Sequence, residues 1–492
     1  MEAHQARTKH LAQQIKVFHD QKLPFRVYHG STNSTRRTTY DRKQIVDTSG
    51  FNHVIAVNSE KLQAVVEPNV SMGKLVDACL PHGLVPAVVP EFPAITIGGA
   101  FAGTAGESSS FRYGFVDKTV AEIEIILSTG EVMKASPHLN ADLYNGAAGS
   151  FGTLGVLSMC IVTLVPAQQY IQVAYHPITD SKSAVKKTED LVDDQSVSYL
   201  DGILFSNISG VIMAGRFTDK LPPDTKPKTF SKASDPYFYS EARKHSRKSG
   251  NISYDYIPTR EYLFRYDRGA FWTAKWAFEY FKAPYNRVFR RILDPLLHTE
   301  TMYHALHKSG LADKYIVQDI GFPYEEIPAF IDYLDQTLGF YPIWLCPLLL
   351  DSEVALHPQD PAIKNRLLNV GLWGPGPTKW PEFVEANRQI EKKTKELHGI
   401  KCLYAHAYYT EDEFWQIYNK DDYNALREKY QATSLPSVYQ KVSVSPEKAT
   451  EASRNQSYIG SAKAWAKEIW PMRGLYGMFA ALSGKSYLMS KK

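Results

Sequence analysis

Cysteine is scarce: the 492 residues hold four, at 79, 160, 346 and 402, too widely spaced for a CxxC pair or a zinc site. A disulfide framework and a zinc ribbon are excluded, and the four read as reduced thiols of an intracellular, cytosolic protein. Long apolar runs are missing too. The two longest, 155–167 and 341–350, fall short of the roughly 20 residues a membrane span needs and read as buried strands. The first twenty residues alternate polar and apolar positions and lack a signal-peptide core. Neither sign of charge dominates: 56 basic and 52 acidic side chains leave +4, with no basic tract, so nucleic acid is not an expected partner. Two nucleotide fingerprints are absent as well. Gly98, Gly99, Gly103 and Gly106 do not form GxGxxG, and SGKS (483–486) has Phe479 where a phosphate loop needs glycine.

What is present is a globular composition, 44% apolar and 22% charged, in a chain long enough for two domains or three. Leu11, Ile15 and Phe18 space an amphipathic helix over 1–20. Short β-rich runs follow from 25 to 166, including a hairpin over 121–136 that turns at Ser-Thr-Gly, so the pattern is α+β. Two loops carry little bulk and many donors: 30–35, and 96–110 with Thr96, Gly98, Gly99, Gly103, Thr104, Gly106 and three serines. Backbone N–H groups approach an anionic or planar ligand closely where Cβ atoms are missing, so the pair suggests a bulky cofactor carrying a pyrophosphate. Aromatics concentrate elsewhere. They make up 16 of the 53 residues in 237–289 against 12% of the chain, a density suited to a packed core or to a pocket for a flat apolar ligand. The segment 465–492 mixes Trp, Phe, Leu and Met with Lys, as a docked helix or an interfacial membrane contact would.

The runs 88–132, with ITIGGAFAGTAGESSSFRYG, and 140–167 resemble the FAD-binding domain of the vanillyl-alcohol-oxidase (PCMH) type. Within that type the chain looks most like the Δ24-sterol reductases. Further blocks carry the likeness: YIVQDIGFP (315–323), YPIWLCP (341–347), NVGLWG (369–374), LYAHAYYTEDEFW (403–415), YNALREKY (423–430) and LPSVYQKV (435–442). The resemblance implies an N-terminal helix (1–19), a two-part FAD-binding domain (20–168), an α/β cap holding the substrate (169–400), a return segment beside the flavin (401–445) and a helical tail (446–492). It implies that Gly30, Ser31, Thr32, Asn33 and Ser34 cradle the pyrophosphate. Pro90, Thr96, Gly98, Gly99, Thr104, Gly106, Glu107, Ser108, Ser109, Ser110, Tyr113, Gly114 and Val116 would run beside pyrophosphate and isoalloxazine. Gly152, Gly155 and Val156 would lie by the adenosine. Ser34 or Thr35 stands where tethered relatives carry His, and no Cys lies in the glycine-rich stretch; noncovalent FAD is expected, with His29 the nearest tether.

The activity implied is reduction of a C=C bond in a sterol-like apolar substrate, with NADPH as donor. Such a reaction needs a general acid beside the flavin. Tyr404, His406 and Tyr408 alternate in an expected strand and would share a face; His406 stands where the resembling reductases have Asp. Arg268, paired with Asp267, is a candidate counter-charge, with an ion pair as its alternative role. The Asp-to-His change and the lack of an N-terminal membrane anchor favour a second reading, an alcohol-type oxidase or dehydrogenase with His406 as base; a third, from a different class, is a lipid-binding flavoprotein without turnover.

Overall fold

The computed structural model describes residues 1–30, 40–248, 250–350, 356, 363, 365–405, 407–444 and 470–483. Its architecture is α+β, organised around two antiparallel sheets. Before them, β1 (Arg26–Tyr28) and β2 (Ile45–Asp47) pair in parallel. The first sheet contains β3 (Val54–Asn58), β4 (Gln63–Val66), β5 (Leu84–Pro86), β6 (Val120–Ile126), β7 (Val132–Ala135) and β8 (Val156–Pro166), in the order 3-4-8-6-7 with β5 also on β8. β8 is the longest strand and sits centrally. Its β-branched, apolar sequence VLSMCIVTLVP suits a strand covered on both faces.

The second sheet has eight strands: β9 (Tyr170–Ile178), β10 (Tyr199–Ser206), β11 (Ser209–Thr218), β12 (Ser253–Pro258), β13 (Tyr315–Phe322), β14 (Ile343–Leu349), β15 (Arg366–Pro375) and β16 (Ile400–Lys401), ordered 12-9-11-10-14-15-13-16. Alternation along each strand sends side chains to two different cores. Ile316, Ile320 and Phe322 of β13 pack with Leu368, Val370 and Leu372 of β15 under the helices Ile327–Thr337 and Trp380–Glu396. Val317, Trp344, Leu348, Leu367 and Trp373 point the other way, into a core shared with the first sheet.

The helix Glu2–Asp20 buries Leu11 and Ile15, as its apolar spacing predicts. The hairpin β6–β7 also forms where expected, with Gly130 at φ +85° in its turn. All four cysteines are free thiols, three of them buried. Among the described residues no helix is long and apolar enough to cross a membrane. One expectation fails: β16 ends at Lys401 and 403–405 turn, so Tyr404 and Tyr408 do not alternate in a strand. Tyr404 packs at the inter-sheet core, whereas Tyr408 belongs to the opposite core against Trp380.

Candidate active site

A cavity of about 810 Å³ runs between the sheets, and its two ends differ in chemistry. One end is built from small residues: Thr96, Gly98, Gly99, Gly103, Thr104 and Gly106 on one wall, and Gly149, Gly152, Gly155 and Val156 on another. Close packing explains two of these glycines. The Gly98 N–H donates to the Pro68 carbonyl at 2.8 Å, and a Cβ on Gly98 would lie 2.6 Å from the Pro68 Cβ. A Cβ on Gly155 would lie 2.8 Å from the Ile126 carbonyl oxygen. Polar atoms at this end lack protein partners: Arg26 Nε and His29 Nδ1 are buried without a hydrogen bond among the described residues. Burial, then the nearby Lys441 charge, holds the His29 imidazole down at about 4, so it is neutral here at pH 7. Orphaned donors beside a wall without Cβ atoms fit the phosphates and planar rings of a dinucleotide.

The other end is aromatic. Phe271 stacks on Trp373 with centroids 4.3 Å apart, and Trp344, Phe92, Tyr303 and Tyr315 are among the other aromatic rings in the lining. Trp272 and Trp276 both donate their indole N–H to the Trp373 carbonyl at 3.0 Å, which fixes that strand end. Within this apolar lining sits Asp319 of β13. Its carboxylate accepts 2.6 Å from the Tyr404 hydroxyl and 2.8 Å from Asn369 Nδ2. Gly371 stands opposite on β15, where a Cβ would lie 2.8 Å from Asp319 Oδ1 and 2.5 Å from the Trp373 ring. Burial raises the Asp319 carboxyl to about 6 despite those two hydrogen bonds. A second acid, Glu91, also lines the cavity. Burial first, then the charge of Glu107, holds its carboxyl well above the usual range, and its Oε1 has no partner among the described residues.

The structure sorts the residues singled out from sequence. Pro90, Thr96, Gly98, Gly99, Thr104, Gly106, Gly152, Gly155, Val156 and Tyr404 line the cavity. Gly30 is just outside its lining, with φ +82°, and Ser31, Thr32, Asn33, Ser34 and His406 lie outside the described residues. Glu107, Ser108, Ser109 and Ser110 do not line it, because their polar atoms are already engaged. The Glu107 carboxylate accepts from the Ser108 hydroxyl at 2.6 Å and the Ser109 N–H at 2.9 Å, and Ser110 Oγ accepts from the Glu107 N–H. Tyr113, Gly114 and Val116 form a layer behind, the Val116 N–H reaching the Ala105 carbonyl at 2.8 Å.

Arg268 is also displaced from its proposed role. Buried away from the cavity, it pairs with Asp294 at 2.7 Å and donates to the Phe230 carbonyl; Asp267 instead engages His298. The aromatic-rich segment divides between both readings: Phe271, Phe278, Tyr280, Phe281 and Phe289 line the cavity, while Tyr237, Tyr262, Tyr266 and Trp272 are core. Sequence reading missed Asp319 and Glu91. Each is a lone acid within an apolar, aromatic block, YIVQDIGFP and VVPEFP, and that isolation was the available signal.

Comparison with known proteins accords with this geometry. Residues 5–136 match the family model described as an FAD binding domain. The chain is an FAD-dependent oxidoreductase. Its likeness is to the Δ24-sterol reductases. It is 28% identical over 393 residues to Delta(24)-sterol reductase of Homo sapiens, covering 79% of this chain and 76% of that protein. Against the Arabidopsis thaliana enzyme of that name it is 29% identical over 428 residues, covering 80% and 76%. Against the Delta(24)-sterol reductase homolog of Caenorhabditis elegans it is 25% identical over 465 residues, covering 89% and 87%.

Proposed function

We propose that the protein reduces a C=C bond in a sterol-like apolar substrate, with NADPH as electron donor and noncovalent FAD as carrier. In this reading residues 20–168 hold the cofactor, residues 169–400 the substrate, and 401–445 return to close the site. Contacts that support the return are Lys441 donating to the Phe151 carbonyl, Thr153 bonded to the Tyr423 hydroxyl at 2.7 Å, and the Lys429–Asp142 pair. The small-residue end would hold the pyrophosphate and isoalloxazine through Thr96, Gly99, Thr104 and Gly106, with Arg26, His29 and Gly152 toward the rest of the dinucleotide. Ser31 to Ser34 keep their proposed part in that cradle.

Bound FAD supplies hydride transfer. The alkene carbon that does not take the hydride needs a proton, and the pair that carries this reading is Tyr404 with Asp319. Tyr404 donates to Asp319 in the resting site and accepts weakly from the Trp373 indole at 3.4 Å. With Asp319 protonated, the carboxyl donates to the phenol oxygen while the phenol proton passes to substrate; solvent then reprotonates the carboxylate. The balance is one alkene, one NADPH and one proton giving the saturated product and NADP⁺. The aromatic walls exclude water and strengthen these short interactions. Anaerobic titration tests the proposal: NADPH bleaches the flavin, and a Δ24 sterol restores its colour without oxygen. The raised carboxyl of Asp319 also gives the alcohol-oxidising alternative a base. Bleaching by an alcohol or hydroxy acid but not by NADPH would establish that reading instead.

A further inference from the structure

The apolar residues left in solvent are not scattered evenly. Val288 and Ile292 of the helix Arg287–Leu293 are 64% and 68% exposed, and Phe479 and Leu482 of the helix Met472–Leu482 are 69% and 59% exposed. Trp470, Met472, Tyr476, Tyr285 and Phe289 add to the same surface. The two segments adjoin: the Trp470 indole donates to the Tyr280 carbonyl, and Gly474 lies against the Tyr280 and Phe281 rings. The second helix is held from behind, where Gly477 allows approach to Ala305 and the Arg473 guanidinium caps the Ser309 and Gly310 carbonyls at 2.6 and 2.9 Å. Its outer face carries Met472, Tyr476, Phe479 and Leu482, all exposed.

Charge around this surface is one-sided. Segments 280–293 and 470–483 together carry five basic side chains and no acidic one, in a chain that is nearly neutral overall; Lys282, Arg287 and Arg291 are exposed, while Arg473 turns to the Ser309 and Gly310 carbonyls and Arg290 lies against the Tyr237 and Tyr285 rings. The cavity reaches the same place. Phe289 and Ile292 are at once exposed and part of its lining, and the buried Gly474 and half-buried Met478 line it from the second helix.

We propose that this face docks on an anionic lipid bilayer, with the exposed apolar residues among the acyl chains and the basic residues at the headgroups, so that the cavity opens directly into the membrane. The inference rests on the reading that the substrate is an apolar lipid. Apolar side chains beside cations are the composition of an interfacial binder, and each basic residue near an anionic surface adds attraction that salt screens. A substrate entering here would pass from acyl chains to the aromatic lining without crossing water, which removes the step an insoluble molecule makes most slowly.

Flotation of the FAD-loaded protein with phosphatidylcholine vesicles, with and without phosphatidylserine, tests this. Binding is expected to the serine-containing vesicles and to weaken as salt rises. The double variant Val288→Glu/Phe479→Glu is expected to bind roughly tenfold more weakly or less. The variant Arg287→Gln/Arg291→Gln is expected to lose the preference for anionic vesicles. Both should retain the flavin spectrum and the turnover of a detergent-dispersed substrate, since none of the four residues lines the cavity. Wild-type protein that fails to float, vesicle binding untouched by both variants, or a stable dimer in solution that the glutamates dissociate would each overturn the proposal. Vesicle binding is read without catalysis, so its failure is distinguishable from failure of the proposed reaction.

Discussion

The two ends of the cavity use opposite strategies. The small-residue end leaves space and unpartnered donors, and its walls are backbone; the aromatic end fills space, excludes water, and embeds two acids. A ligand meets the first end across a small-residue wall and the side-chain nitrogens of Arg26 and His29, and the second across aromatic side chains and two acids. Binding should therefore be sensitive to added bulk at one end, and chemistry to single polar substitutions at the other.

The largest expected effect separates the two. Asp319→Asn should keep its flavin yet reduce alkene about 10²- to 10⁴-fold more slowly, the range associated with loss of general-acid catalysis. The wild-type rate should fall as pH rises above about 6, where Asp319 ionises, and the variant should lack that limb. Next comes a residue of neither end. Arg268→Met leaves the buried Asp294 with only His298 at 3.6 Å and should lower stability by up to roughly 3–5 kcal/mol in urea unfolding, while the rate per bound flavin stays unchanged. At the small-residue end, Gly98→Val collides with Pro68 and should cost about 1–3 kcal/mol by overpacking. Its readout is a reduced flavin-to-protein ratio, whereas an unaltered ratio would mean the wall tolerates bulk.

The smallest effect lies where the first helix meets the first sheet. Burial pushes Glu67 up, but hydrogen bonds from Arg7, His4 and His53 prevail and hold it at about 2. Its stabilising contribution is complete above its ordinary 4.5 and is lost as pH falls from there through about 2. His4 runs the opposite way: the Glu124 bond outweighs burial, so its contribution is present below 6.5 and is lost as pH rises through the raised value. A thermal-unfolding series against pH should show both slopes, and Glu67→Gln should flatten the acid one.

Much of the frame was legible in the sequence because it depends on local period: the first helix, the β6–β7 hairpin, and the long runs that became β8 and β14. The small-residue wall was legible for a similar reason, since absence of Cβ is itself readable. The chemistry was less so. Asp319 acquires its character from Tyr404, 85 residues away, and from a glycine on a neighbouring strand, and no local pattern encodes that meeting. Tyr404, His406 and Tyr408 imitate a strand because aromatic and small residues alternate, yet the ladder stops at Lys401 and the chain turns. Ser108 to Ser110 looked like ligand donors from their hydroxyls alone; a buried glutamate beside them had already taken up that capacity.

That short stretch has a mechanical consequence. The Leu200 N–H donates to the Ser108 carbonyl at 2.7 Å, Arg112 clamps the Asp194 and Val197 carbonyls, and Gly106 leaves room for Leu348 of β14. The ribbon that follows the small-residue wall of the cavity is thus also the joint between the sheets. A ligand that binds only the folded ribbon tightens the joint by mass action, in proportion to the logarithm of its concentration over its dissociation constant. Cofactor supply would then govern how much of this protein survives heat and proteolysis, before any substrate arrives.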